Sequence, residues 1–268
     1  MFVQLSKTFD GGSAMAFSRT TPLGKRPDAK ALTSNMVGIG MNFAAEPNSS
    51  APVEETLVHV SELGMEDHDL RVLAVLTTWL GVHHGYINAD RLVRCVSVHP
   101  SYRVRAFWAA IAHWLSKDRR FARLVKLYGR SRVDILPVGT DFRIVRRGED
   151  ERFAGSVLRV PSGTLRDRAT DVLSPEALVC RHAGYRNRVL MGPTWRADVW
   201  TVLEGGSETS VAEVARRVSC SFATAWQVVQ DFQLLRNARL QKPDSAICRQ
   251  VVKIDGDIQA LGTEITQP

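Results

Sequence analysis

Apolar residues recur at helical spacing from Val53 to about Tyr128, and short polar breaks divide them into segments. VEETLVHVSELG comes first, its glycine suited to a helix C-terminus. In DHDLRVLAVLTTWLGVHHG, Leu70, Leu73, Ala74, Leu76 and Leu80 predict a largely buried helix. INADRLVRCV starts at Asn88, a residue type that caps helix N-termini, and turns Leu92, Val93 and Val96 inward. SYRVRAFWAAIAHWLSK places Val104, Phe107, Trp108, Ile111 and Leu115 on one stripe, and RRFARLVKLYG closes the helical group at Gly129.

From residue 131 to 165 the period changes. RVDILPV, DFRIVRR and RFAGSVLRV are short, β-branched and separated by Gly-Thr and Gly-Glu-Asp turns. They predict two or three antiparallel strands. SPEALVCRHAG then returns to a helix, with Ser174 as cap and Pro175 at the first helical position.

Residues 194–254 carry the strongest pattern. WRADVWTVLEG is an amphipathic helix, and SVAEVARRVSCSFATAWQVVQDFQLL adds a short helix, a tight turn and a longer helix. RLQKP and CRQVVKI are candidate strands around PDSAI. Val211, Val214, Ala215 and Val218 are expected to face inward, and Ala225, Val229 and Phe232 continue the stripe along the next helix. Ser221 stands where a serine caps that helix.

Residues 1–52 have no sustained period and are rich in turn signals, from Gly11-Gly12 to Glu46-Pro47. They read as a disordered leader, dispensable for folding, with Met36 or Met41 a candidate start. The expected architecture is α+β, mainly α. A leader (1–52) precedes a helical domain with a small antiparallel β element (53–190) and a C-terminal winged helix-turn-helix (191–268).

The segment Val214-Ala215-Arg216-Arg217-Val218, followed by Ser221, Thr224, Ala225, Val229 and Phe232, resembles the winged-helix transcriptional regulators of bacteria, the MarR-like and ArsR-like group. The resemblance implies DNA binding through the longer helix and the wing. Ser219 replaces the glycine usual in that turn, and Trp226 sits where a polar base-reader is common. YRNRVLMGPTWRADVW is also similar to the basic lead-in of bacterial regulators, some of which are antitoxins or autorepressors beside a nucleotidyltransferase-like partner.

Charge agrees with an anionic partner. The chain has 268 residues, with 35 Lys and Arg against 28 Asp and Glu, for a net charge of +7. On the recognition helix Thr224, Gln227 and Gln230 are the candidate base contacts; glutamine pairs with adenine edges in the major groove. Arg216, Arg217, Arg239, Lys242 and Arg249 are candidate phosphate contacts, and ordinary solvated residues are the alternative for each. Trp226 has three candidate roles: packing under the wing, stacking on a ligand, or joining a dimer.

A second basic region holds Arg103, Arg105, Lys117, Arg119, Arg120, Arg123, Lys126, Arg130 and Arg132, with Asp118 the one carboxylate. Its interleaved aromatics fall mostly at core spacing.

Other chemistry is thin. The four cysteines, Cys95, Cys180, Cys220 and Cys248, form no C-x-x-C pair and read as reduced thiols. His83-His84 point apart on a helix, so helix-end capping is expected and no metal. GIGMNF lacks the strand and helix that a dinucleotide loop requires, and no P-loop, zincin or nucleophile-elbow motif occurs. No cofactor is expected. Without a signal peptide or an apolar run near the roughly 18 residues of a membrane span, a soluble cytoplasmic protein is expected. The expected function is DNA-binding transcriptional regulation with duplex DNA as partner, and homodimerisation or a protein partner served by residues 53–190. The alternatives are a protein-interaction module whose winged helix does not read DNA, and an enzyme with a site in residues 53–190.

Overall fold

The computed structural model describes residues 23–206 and 210–240. The fold is mainly helical. In chain order the helices are α1 (Ala29–Gly38), α2 (Val53–Glu66), α3 (Leu70–His83), α4 (Ala89–Val98), α5 (Tyr102–Trp114) and α6 (Ala122–Val125). After strand β1 (Val133–Asp134) come α7 (Thr140–Arg147) and β2 (Leu158–Arg159). Then follow α8 (Pro175–Arg181), α9 (Ala183–Met191), α10 (Trp195–Glu204), α11 (Val211–Val218) and α12 (Phe222–Leu240).

The main core lies where α2 packs on α3, α4 and α5. Leu57, Leu73, Trp79, Phe107 and Trp108 are fully buried there. Buried indoles need a hydrogen-bond acceptor. The Trp108 N–H donates to Ser61 Oγ at 2.9 Å, and that hydroxyl donates to the Val58 carbonyl at 2.7 Å. Gly64 lies inside α2 rather than at its end. A Cβ there would meet Leu73 Cγ at 2.2 Å, so the glycine permits the close crossing of α2 and α3. As expected, Asn88 caps α4, accepting from the Arg91 N–H at 3.2 Å, and Ser174 caps α8 ahead of Pro175.

Residues 23–52 are not a disordered leader. Asp28 accepts from the Ala31 N–H at 2.8 Å and starts α1. Leu32, Met36, Ile39 and Met41 are buried in the main core. The Trp79 indole donates to the Ile39 carbonyl at 2.7 Å. Two buried anchors four residues apart, Leu32 and Met36, attach α1, too short a stripe to show as a period. Residues 1–22 lie outside the described residues.

The β element is a parallel pair, with Val133 opposite Leu158, and not an antiparallel hairpin. The cause is DFRIVRR, which forms α7 and not a strand. Gly139 and Gly148, at φ +79° and +78°, turn the chain into and out of that helix. β1 and β2 are therefore joined by a crossover containing a helix, the connection that parallel strands require.

Helices α10, α11 and α12 enclose a second core of Val199, Val214, Ala215, Val218, Ala225 and Val228. Its stripe follows the sequence reading with two differences. Val228 is buried beside Val229, and Phe232 is only half-buried, meeting the Trp200 ring edge-to-face at 5.0 Å. Helices α11 and α12 are joined by a short turn, residues 219–221. The wing is not described: α12 runs on through Arg239 and Leu240, which makes the start of RLQKP helical, and Lys242, Arg249 and the rest of the hairpin lie outside the described residues.

Candidate nucleic-acid interface and the charges behind it

The turn between α11 and α12 depends on three residues. Ser210 caps α11 by accepting from the Glu213 N–H at 3.3 Å. Ser219 ends α11 in the left-handed region, φ +61°, and the Cys220 N–H returns to the Ala215 carbonyl at 3.0 Å. Ser219 thus occupies a backbone position that favours glycine. Ser221 Oγ then accepts from the Thr224 N–H at 3.1 Å and starts α12.

This start fixes what α12 presents. Gln227 and Gln230 point to solvent on successive turns. Gln227 Nε2 lies 3.4 Å from Asp231 Oδ1, and Asp231 is tied to Arg196 at 2.6 Å. Thr224 is half-buried, and its hydroxyl is 2.8 Å from Ser221 Oγ, so it serves the cap. Arg216 and Arg217 are exposed in the last turn of α11. Arg239 falls in the last turn of α12. Phe222 and Trp226 are 58% and 48% exposed, so Trp226 is not packed away by the described residues, and the wing expected to cover it lies outside them.

Helix α10, on which α11 and α12 pack, is fixed to the helical body by charges that the sequence reading missed. Arg188, on α9, donates to both oxygens of Glu54 on α2, at 2.7 and 2.9 Å. It also donates twice to Asp198 Oδ1 on α10, at 2.9 and 2.7 Å. All three side chains are almost fully buried. The Asn88 amide donates to the other Asp198 oxygen at 2.9 Å, and Arg91 meets Glu55 at 2.6 Å. Burial disfavours every charge here, but mutual attraction outweighs it. Asp198 is held below the usual carboxylate range by Arg188 and Arg91, and both guanidiniums are pushed above theirs by the carboxylates. One signal was in the sequence: Glu54 and Asp198 stand on the apolar stripes of their helices, beside Leu57 and Val199.

Above this cluster opens a cleft of about 670 Å³. The first residues of α2 (Pro52, Val53) and of α9 (Ala183, Gly184) line it with Arg91 and Arg217. It offers charges of both signs and no nucleophile with an adjacent base, since His182 is committed to the Ala51 carbonyl at 2.9 Å and to capping α9.

His83 and His84 also have structural partners. His84 Nδ1 lies 3.1 Å from the Leu80 carbonyl at the end of α3. His83 is fully buried between the Tyr185 hydroxyl, at 2.8 Å, and the Leu173 carbonyl, at 3.0 Å, and burial lowers its pKa to about 4. Among the described residues no three His, Cys, Asp or Glu gather as metal ligands, Cys95, Cys180 and Cys220 are free thiols, and no helix is long and apolar enough to cross a membrane.

No family model matches this chain, and no curated protein or solved structure shows significant similarity to it.

Proposed function

We propose that the chain is a DNA-binding regulator that reads duplex DNA with α12 and is not a catalyst. The observation that carries this reading is the capped helix-turn-helix whose outward positions Gln227 and Gln230 are exposed, with exposed Arg216 and Arg217 alongside. Exposed glutamines on a recognition helix can pair with adenine edges, and the arginines can hold phosphate. The experiment is selection of a preferred duplex from a random pool by the full chain, then fluorescence anisotropy. Gln227→Ala and Gln230→Ala are expected to cost about 1–3 kcal/mol on the preferred site and little on scrambled DNA. No binding to any duplex at low salt overturns the reading.

A second reading has its own observation. Phe222 and Trp226 expose two aromatic rings one turn apart on α12, which suits a protein partner, a second copy included. Under that reading the full chain self-associates in sedimentation velocity, Phe222→Ala/Trp226→Ala restores the monomer, and neither form binds DNA.

A further inference from the structure

We infer that residues 117–132 form a second contact to the phosphate backbone, gripping the same duplex that α12 reads. The inference rests on the DNA-binding reading above and adds a surface to it. The segment holds seven lysines and arginines against one carboxylate, Asp118, a net +6 in a chain whose total is +7. Almost all of the protein's charge excess is therefore local.

The charges sit on a fixed scaffold. Phe121, Leu124 and Tyr128 from the same segment are buried in the main core, which leaves the cations outside. Three of the seven have acidic neighbours: Arg120 with Asp118, Arg123 with Asp90, and Arg132 with Glu149. The other four, Lys117, Arg119, Lys126 and Arg130, are exposed or nearly so, and none is paired to a carboxylate among the described residues. Like charges held together this way repel one another, and a polyanion relieves that repulsion.

Position ties this segment to the helix-turn-helix. Asp90 and Arg94 stand four residues apart on α4, hence on one face and about 6 Å apart along its axis. Asp90 pairs with Arg123 of the basic segment. Arg94 donates to the Ser219 carbonyl in the turn that begins α12. The basic segment and that turn thus border the same face of α4. The recognition helix is short of what the segment supplies over most of its length. Residues 222–235 contain no lysine or arginine and one aspartate, Asp231, and the cations of α12, Arg236 and Arg239, come only near its end. Cations from a second surface add to such a contact, because phosphate contacts supply much of the affinity and fix the register.

The test uses the full chain and the variant Lys117→Ala/Arg119→Ala/Lys126→Ala/Arg130→Ala, with circular dichroism to show that the fold is kept. Anisotropy on preferred and scrambled duplexes at several salt concentrations reads the slope of log affinity against log salt. Each lost phosphate contact lowers that slope by about 0.9, so a fall of roughly 2–4 is expected, with equal weakening on both duplexes. Gln227→Ala/Gln230→Ala should leave the slope unchanged. A quadruple variant that binds with the parent slope overturns this inference and leaves the α12 reading intact. If instead the parent binds all duplexes alike and only the quadruple variant loses binding, the basic contact holds and the α12 reading falls. No binding by the parent at low salt overturns both.

Discussion

Arg94 donates to the Ser219 carbonyl at 2.7 Å while its guanidinium lies 4.8 Å from the centre of the Trp195 ring. One side chain of α4 thus closes the helix-turn-helix turn and stacks on the first residue of α10. A charged hydrogen bond contributes about 1.5–3 kcal/mol and a partly exposed cation–π contact about 0.5–1 kcal/mol. Arg94→Ala is expected to lower stability by about 2–3 kcal/mol in urea unfolding and to speed amide exchange in the turn. Parental exchange there would show that the bond does not hold the turn.

Ser219 pays a conformational cost at φ +61°. Glycine adopts this region freely, and the Ser219 carbonyl that Arg94 uses is unaffected by the change. Ser219→Gly is expected to raise stability by about 0.5–1 kcal/mol, whereas Ser219→Val lowers it. Thermal melts of the two variants should move in opposite directions from the parent.

Removing Arg188 leaves Glu54 and Asp198 buried without their counter-charge. Arg188→Met is expected to cost about 3–5 kcal/mol. Asp198→Asn should cost less, because Arg188 keeps both Glu54 contacts. Equal losses in chemical denaturation would mean that the three charges do not act as the geometry implies.

His83 sets an acid limit. Its folded pKa of about 4 lies below the ordinary 6.5, because the buried ring resists protonation. Between those values the unfolded chain binds a proton that the folded chain does not. Stability is therefore full above pH 6.5 and declines as pH falls toward 4, by on the order of 3 kcal/mol from this residue. His182 and His59 are lowered too, mainly by burial, and act in the same direction. His83→Gln should have a shallower pH profile of unfolding free energy, and an unchanged profile would assign the acid sensitivity to other groups.

The first helix should matter to the whole fold. Met36 is 2% exposed, and a core methionine cut to alanine costs about 2–5 kcal/mol. Met36→Ala is expected to lose that much, and a chain beginning at residue 51 should not unfold cooperatively. Parental melting of the shortened chain would show that α1 contributes nothing.

What the sequence made legible follows from how many side chains attach each element. Helices α2 to α5 and the α10–α12 unit present long apolar stripes, and those stripes set their position. Phe232 was misplaced because the wide apolar side of α12 admits two registers, and Val228 is the residue turned inward. Helix α7 was misread for the opposite reason. Its Phe142 and Val145 are 68% and 89% exposed, so its apolar residues do not report a buried face. In the candidate site, Gln227, Gln230, Arg216 and Arg217 could be placed by helical phase alone. The Arg188 cluster could not, because it joins residues from α2, α9 and α10 that only the folded chain brings together.

Only Gly192, Pro193 and Thr194 separate α9 from α10, and Arg188 clamps both helices to α2 across that joint. Helix α10 is therefore held to the body by ion pairs as well as by the chain. Torque applied at α12 passes through α10 to the main core by way of packed side chains and ion pairs.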